Sequence, residues 1–157
     1  MDNNHVLRSL RYTLKISDSK MIEIFDLGEH KISKEELLNL LKHEEDTGFL
    51  VCSSKVLLSF LDGLIIHKRG KQENKTGSPQ KSSTLNNNVI LKKIRIALNF
   101  KEEDMLETFK LVDLQVSKSE LTAIFRRSDH KNYKECGDQF IRNFLKGLAL
   151  NNGLLDK

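Results

Sequence analysis

The chain has 157 residues, a formal net charge of +4, 38% hydrophobic residues and 31% charged residues. A chain of this length buries about 70% of its unfolded surface, enough for one core or for two small cores that pack together. Its mean hydropathy of −0.44 and the lack of an apolar run near the roughly 18 residues of a membrane span exclude an integral membrane protein. Polar residues 2–4 show no secretion signal, so we expect a cytoplasmic protein without a membrane partner.

Two stretches of the sequence resemble each other, one beginning at Asn3 and the other at Asn87. At an offset of 84 residues they align without a gap over 62 positions, of which 18 are identical. Each stretch alone is small for an independent fold, so we expect the two to bury their apolar faces against each other. The predicted organisation is a first repeat over 1–69, a flexible basic linker over 70–86, a second repeat over 87–150 and a tail over 151–157.

The first two helices of each repeat are predicted from polar start signals followed by apolar residues at helical spacing. Asn4 is interpreted as the N-cap of the first helix, and Asn88 as its counterpart in the second repeat. A second helix is predicted to follow Asp18. It should end near Gly28, because glycine tolerates the left-handed conformation that often terminates a helix.

The last two helices of each repeat have equally clear signals. A capping box of Ser33 and Glu36 predicts the third helix, and the same Ser-x-x-Glu pattern recurs at residues 117–120. A fourth helix is predicted over residues 54–68, and its counterpart is predicted to start at Asp138.

A glycine lies inside the fourth helix of both repeats, at Gly63 and Gly147. Glycine inside a helix costs about 0.8 to 1 kcal/mol relative to alanine, so we expect another helix to pass too close for a methyl group. The predicted fold is all-α: two tandem helical repeats of about four helices each, packed with pseudo-two-fold symmetry through helices that include these glycines.

Charge is distributed unevenly along the chain. Residues 1–67 carry 11 acidic and 8 basic side chains, whereas residues 87–146 carry 9 acidic and 12 basic ones. Residues 68–86 between them carry 5 basic and 1 acidic side chain. This asymmetry fits attraction between the repeats, between two copies of the chain, or between the second half and nucleic acid.

Basic side chains recur at intervals of three and four along the first helix of each repeat, so each set projects from one side of its helix. With the linker and residues 126–127 they predict a phosphate-binding surface. The alternative, which we favour, pairs Arg11 with Glu23 and Arg95 with Glu107, because surface binding would not require the glutamates. The candidate binding residues are Arg8, Arg11, Lys15, Lys92, Lys93, Arg95 and His130.

Cys136 and His130 form the strongest candidate for catalysis, because a thiol beside an imidazole can act as a nucleophile. The first repeat keeps Cys52 at the position of Cys136 but has Asp46 at the position of His130. A thiol kept without its histidine is typical of a small packed residue, so a hydrolase-like site is the weaker interpretation and no catalytic residue is predicted. The spacing of the thiols and histidines predicts no disulfide, no metal and no cofactor.

Several segments resemble one known family. They are the paired Asn-Asn-x-x-Leu openings, Phe-Leu-x-Gly-Leu at 60–64, Asp-His-Lys-Asn-Tyr at 129–133 and Cys-Gly-Asp-Gln-Phe at 136–140. These segments are similar to those of the YehS-like family of bacterial proteins, a domain of unknown function present in two tandem copies. The resemblance implies a bacterial cytoplasmic protein with a duplicated helical architecture, and it supplies no activity or catalytic residue.

The function predicted from the sequence is that of a non-enzymatic binding or regulatory module. Its partner is expected to be another protein or a second copy of the chain. Nucleic-acid binding through the basic residues on the first helix of each repeat and the linker is the alternative.

Overall fold

A computed structural model describes residues 2–70 and 85–152 of the chain. Within those residues the secondary structure consists of eight α-helices, four in each repeat, and contains no strand. The predicted all-α fold is therefore confirmed. Most of the predicted linker and all of the tail beyond residue 152 lie outside the described residues. The helices are α1 (Asn3–Leu14), α2 (Asp18–Leu27), α3 (Lys34–Leu40), α4 (Ser54–Arg69), α5 (Asn87–Leu98), α6 (Glu102–Lys110), α7 (Lys118–Ile124) and α8 (Asp138–Asn151).

The first helix of each repeat is capped two residues earlier than predicted. Asp2 caps α1 by accepting a hydrogen bond from the backbone N–H of His5, and Asn86 caps α5 in the same way. Asn4 and Asn88 are instead buried inside their helices, 3% and 8% exposed. The interpretation of these two asparagines as N-caps is wrong, because both amides are used to fix the backbone of a distant loop.

The end of α2 also differs from the prediction. Gly28 has a φ of −87°, and the left-handed residue is the next one, Glu29, with a φ of 67°. Gly28 is required for another reason: a Cβ there would lie 1.9 Å from the carbonyl oxygen of Ser59 on α4. The position permits the close approach of two helices rather than a left-handed turn.

The start of α3 is as predicted. Ser33 accepts from the backbone N–H of Glu36, whose carboxylate accepts from the N–H of Ser33. In α7 Ser117 makes the equivalent bond, but the carboxylate of Glu120 accepts from Lys134 Nζ at 2.6 Å. The same start signal therefore serves both helices, with its glutamate used differently.

Gly63 and Gly147 allow the last helix of each repeat to cross the second helix at close range. A Cβ on Gly63 would lie 1.9 Å from the carbonyl oxygen of Ile24, and a Cβ on Gly147 would lie 2.3 Å from that of Thr108. The predicted close approach is confirmed, and it occurs within each repeat, between α4 and α2 and between α8 and α6.

The buried apolar residues of both repeats form one continuous core. Equivalent phenylalanine pairs lie inside it, Phe25 with Phe60 at 5.1 Å between ring centroids and Phe109 with Phe144 at 5.6 Å. Because the core extends across both repeats, neither repeat buries its apolar surface independently.

The first helix of each repeat packs against the last helix of the other, so α4 contacts α5 and α1 contacts α8. Exchanging the repeats maps one contact onto the other, which is the predicted pseudo-two-fold symmetry. The two contacts differ in detail, because Lys93 Nζ lies 2.7 Å from Asp62 Oδ1 across α4 and α5. The equivalent positions between α1 and α8 are Ser9 and Lys146, which cannot form that ion pair.

Candidate functional site

The basic residues predicted on α1 are engaged within the first repeat. Arg8 donates from Nη1 to the carbonyl oxygen of Lys42 at 2.9 Å. Arg11 donates from Nη2 to the Asp18 carboxylate at 2.7 Å. Lys15 is the left-handed C-cap of α1, with a φ of 55°. Two of the three predicted cations are therefore occupied by contacts that hold the repeat together.

The predicted arginine–glutamate pairs are wrong in both repeats. Glu23 accepts from Lys20 and Glu107 from Lys110, each one turn away on its own helix. Arg95 donates from Nε to the Phe100 carbonyl oxygen. The pairing failed because it requires a particular rotation of the second helix about its axis, which residue identities alone do not specify.

The basic residues on α5 have three different roles. Lys93 joins the two repeats through Asp62. The guanidinium of Arg95 lies 4.8 Å above the ring of Phe125, a cation–π contact. Lys92 is exposed and lines a surface cleft of about 350 Å³ between the start of α5 and the segment that follows α7.

This second-repeat cleft brings together three cations and two aromatic rings, and no carboxylate lines it among residues 2–70 and 85–152. Its positive charge comes from Lys92 together with Arg126 and Arg127. The start of α5 adds the positive end of a helix dipole, capped by the neutral side chain of Asn86. The residues that define it are Asn86, Lys92, Phe125, Arg126, Arg127 and Tyr133.

Asn88 positions the far wall of the cleft. Its amide nitrogen donates to the carbonyl oxygens of Ile124 and Lys134, and its amide oxygen accepts from the backbone N–H of Cys136. Three hydrogen bonds from one buried side chain therefore fasten the segment 125–137 to α5. Asn4 makes the equivalent three bonds in the first repeat, to Leu40, Leu50 and Cys52.

The equivalent surface of the first repeat has the same asparagine contacts but different chemistry. Asp2 stands in place of Asn86, Glu44 in place of Ser128, and Phe49 in place of Tyr133. Arg8, at the position of Lys92, is bonded to the Lys42 carbonyl oxygen. Two carboxylates and an engaged arginine make this surface less favourable for an anion than the second-repeat cleft, so the two surfaces differ in chemistry.

The two arginines of the cleft are held loosely. Arg126 donates to the Asn132 carbonyl oxygen at 3.3 Å, and Arg127 pairs with Asp129 at 3.0 Å with both side chains largely exposed. Exposed ion pairs contribute about 0 to 1 kcal/mol, so Arg127 can exchange the carboxylate for an incoming anion at little cost.

The thiol and imidazole predicted as the weaker, catalytic alternative do not have the properties of a reactive pair. Burial raises the pKa of the Cys136 thiol to about 12, and the thiol donates to the Gly137 carbonyl oxygen at 3.7 Å. Cys52 has the same raised pKa and the equivalent bond, to Ser53. The exposed His130 accepts the backbone N–H of Asn132 on Nδ1, which stabilises a turn next to the cleft.

The other surface features are weaker candidates for a binding site. A depression of about 190 Å³ beside α6 is lined by Asp104 and Glu107 with no cation. In residues 2–70 and 85–152 no three His, Cys, Asp or Glu side chains lie close enough together to hold a metal ion. Across the same ranges, no helix combines the length and apolar character needed to cross a bilayer.

The sequence identified Lys92 and residues 126–127 as basic, but it did not predict that Tyr133 and Asn86 line the same cleft. The signal was present in the comparison of the repeats, where Asp2 becomes Asn86, Glu44 becomes Ser128 and His43 becomes Arg127. Only the Asn88 contacts show that positions so far apart in the chain share one cleft.

These features define a class of protein: duplicated all-α proteins in which two four-helix repeats share one core. The chain belongs to a family described as "Protein of unknown function (DUF1456)", whose model matches residues 3–70 and 87–152. It is 44% identical over 149 residues to the uncharacterized protein YehS of Escherichia coli (strain K12), a match that covers 95% of each chain. No solved structure matches it. The resemblance to the YehS-like family is confirmed, and the two matched segments coincide with the two repeats.

Proposed function

We propose that this protein is a non-enzymatic binding or regulatory module that holds an anionic group of its partner in the second-repeat cleft. The observation that carries the proposal is the convergence of Lys92, Arg126 and Arg127 on one cleft whose described lining residues include no carboxylate. Cations arranged in this way lower the free energy of a bound anion and attract it from solution.

The duplication supports the choice of this surface. The first repeat has the same fold but carries Asp2 and Glu44 where the second repeat has neutral residues. An unspecific basic character would be shared by both repeats, whereas the cleft is basic in one only. The proposed partner therefore binds one site per chain.

Binding without catalysis is supported by the state of the thiols. A cysteine nucleophile acts as a thiolate, and a pKa of about 12 leaves Cys136 protonated at neutral pH. The described lining of the cleft consists of cations, amides, two hydroxyls, aromatic rings and aliphatic side chains, which suit binding and include no carboxylate or imidazole to act as a general base.

Nucleic-acid binding is the second candidate function, and the side-chain contacts indicate which residues could take part in it. The sequence-based hypothesis used the first helix of each repeat to contact phosphate. In α1, however, Arg8 and Arg11 are hydrogen-bonded to groups of the first repeat itself. We therefore assign nucleic-acid binding to the second repeat alone. There the phosphate contacts would come from Lys92, Arg126 and Arg127 rather than from Lys93 and Arg95.

The test compares two triple variants with the same change in charge on a polyanion (heparin) column. K92E/R126E/R127E removes the cleft cations. K34E/K55E/K118E changes three exposed lysines in the first turns of α3, α4 and α7, where acidic residues are well tolerated. We expect the wild type and the control to elute at similar salt and the cleft variant to elute much earlier.

Equal shifts for both variants would mean that retention reflects net charge and would contradict a site in the cleft. Circular dichroism melting curves for all three proteins check that the cleft variant is folded. A wild type that passes through the column at low salt would contradict the proposal outright.

A further inference from the structure

Resting on the proposed function, we infer that the anion bound in the second-repeat cleft is the phosphate of a single-stranded nucleic acid, with one base packed against Tyr133. The cleft volume of about 350 Å³ lies at the lower end of the range for small-molecule sites, which suits one nucleotide. A duplex requires a broad basic surface, and the first repeat beside it carries net negative charge.

The aromatic wall distinguishes a nucleotide from a simple anion. Phe125 and Tyr133 both line the cleft, and the guanidinium of Arg95 covers one face of Phe125. Tyr133 is half-buried, and its backbone N–H donates to the carbonyl oxygen of His130 at 3.0 Å. A ring carried on a hydrogen-bonded turn beside three cations matches the arrangement in which bases stack while phosphates are neutralised.

The polar groups of the cleft predict weak sequence preference. The three hydrogen bonds of the Asn88 amide go to the backbone of Ile124, Lys134 and Cys136. We therefore do not expect this amide to recognise a base. Stacking on Tyr133 and charge neutralisation by the cations are similar for every base. We therefore expect oligouridine and oligothymidine to bind with similar affinity.

An acidic peptide is the competing ligand, and the cleft suits it less well. A carboxylate would use the cations but would leave the ring of Tyr133 without a partner. Arg127 already has a carboxylate partner in Asp129, and a phosphate offers the guanidinium more acceptor oxygens than a carboxylate does. The observations therefore favour the nucleotide.

The experiment measures fluorescence anisotropy of labelled single-stranded oligouridine, oligothymidine, a duplex of the same length and a polyglutamate peptide. Wild type, Y133F, Y133L and F49L are compared, with Phe49 as the matched ring of the first repeat. We expect Y133L to weaken single-strand binding by about 10-fold or more, whereas Y133F and F49L stay within about 2-fold of wild type. Duplex and polyglutamate should bind more weakly than the single strands.

Intrinsic fluorescence supplies a second readout that does not depend on Y133L being folded. The chain has 2 tyrosines and no tryptophan, so Tyr12 alone emits in Y133F. Oligouridine should quench the wild type and leave Y133F almost unchanged, and Y133F also corrects for absorption by the ligand.

Each contrary result has a distinct meaning. If polyglutamate binds as tightly as oligouridine and still requires the cleft cations, the nucleotide is wrong but the anion-binding module stands. If the duplex binds as tightly, if Y133L binds like wild type, or if quenching is equal in Y133F, the nucleotide is likewise wrong. If no anionic probe binds, both proposals fall.

Discussion

A single buried amide in each repeat holds together three parts of the chain that are far apart in sequence. Asn4 bonds the end of α3 and the backbone at Leu50 and Cys52, at distances of 2.9 to 3.0 Å. The backbone at Leu50 and Cys52 has no regular secondary structure of its own. The buried amide therefore takes the place of a strand pairing in fixing this part of the fold.

Asn4→Ala should destabilise the protein by about 3 kcal/mol, because two carbonyl oxygens and one N–H lose their partner at about 1 kcal/mol each. The adjacent Asn3 offers a matched control, since its half-buried side chain makes one such bond, to the Cys52 carbonyl oxygen at 3.0 Å. Asn3→Ala should cost about 1 kcal/mol. Urea denaturation of both variants measures the difference, and equal costs would contradict this role for Asn4.

The two buried thiols give the stability a dependence on alkaline pH. Burial raises the pKa of Cys52 and Cys136 from an ordinary 9.0 to about 12 in the folded chain. A group with a raised folded pKa contributes stability that is complete below its unfolded pKa and is lost as the pH rises towards the folded value. We expect wild type to lose stability relative to C52A/C136A between pH 9.0 and about 12.

Urea unfolding of both proteins across that pH window tests this expectation. The double variant removes both thiols, so deprotonation of other groups cancels in the difference. A difference that stays constant with pH would show that the thiols ionise freely in the folded state.

At the scale of helices, the sequence predicted those features that depend on local chemistry. The Ser33 capping box and the glycine at position 63 were predicted correctly, because a helix start and a close crossing leave signals within a few residues. The cap of α1 was misplaced by two residues, since asparagine and aspartate cap equally well and Asp2 was available.

The cleft could be predicted only in part. Lys92 and residues 126–127 were recognisable as cations, but their convergence depends on the return of the chain after α7, which Asn88 fixes. The Arg11–Glu23 pair failed for a related reason, because the rotation of α2 is set by burial of Phe25 and its neighbours. Local patterns specify elements, and long-range contacts decide which side chains meet.

Gly63→Ala and Gly147→Ala should each destabilise the protein by about 2 kcal/mol or more, despite the higher helix propensity of alanine. The new methyl groups would lie 1.9 Å and 2.3 Å from backbone oxygens, which cannot rotate away. Lys146→Ala, an exposed change on the same helix as Gly147, should alter stability by less than about 0.5 kcal/mol. Thermal melting curves rank the stabilities of the three variants. A Gly63→Ala variant as stable as wild type would contradict the close crossing of α4 and α2.

At the scale of the whole molecule, the repeats depend on each other. The core is continuous, and α5 packs on α4 of the other repeat through an interface that includes the Lys93–Asp62 ion pair. Asn152 also donates to the Thr13 carbonyl oxygen, joining the end of α8 to the end of α1. Packing, rather than the covalent connection, should therefore hold the two repeats together.

A protease site placed among residues 71–84, outside the described ranges, tests this. After cleavage the two fragments should elute together in gel filtration and keep the helical circular dichroism of the intact chain. Each fragment made alone should be largely unfolded, because it exposes apolar surface that the other repeat covers. Separation of two folded fragments on the column would contradict a shared core.

The internal anchoring of the loops by Asn4 and Asn88 has a practical consequence for engineering. Because equivalent asparagine contacts underlie both surfaces, the cleft side chains of the second repeat can be grafted onto the first. A chain carrying that graft should acquire a second site, and calorimetric titration with oligouridine should change from one equivalent to two. The grafted substitutions are D2N, R8K, L41F, K42R, H43R, E44S and F49Y.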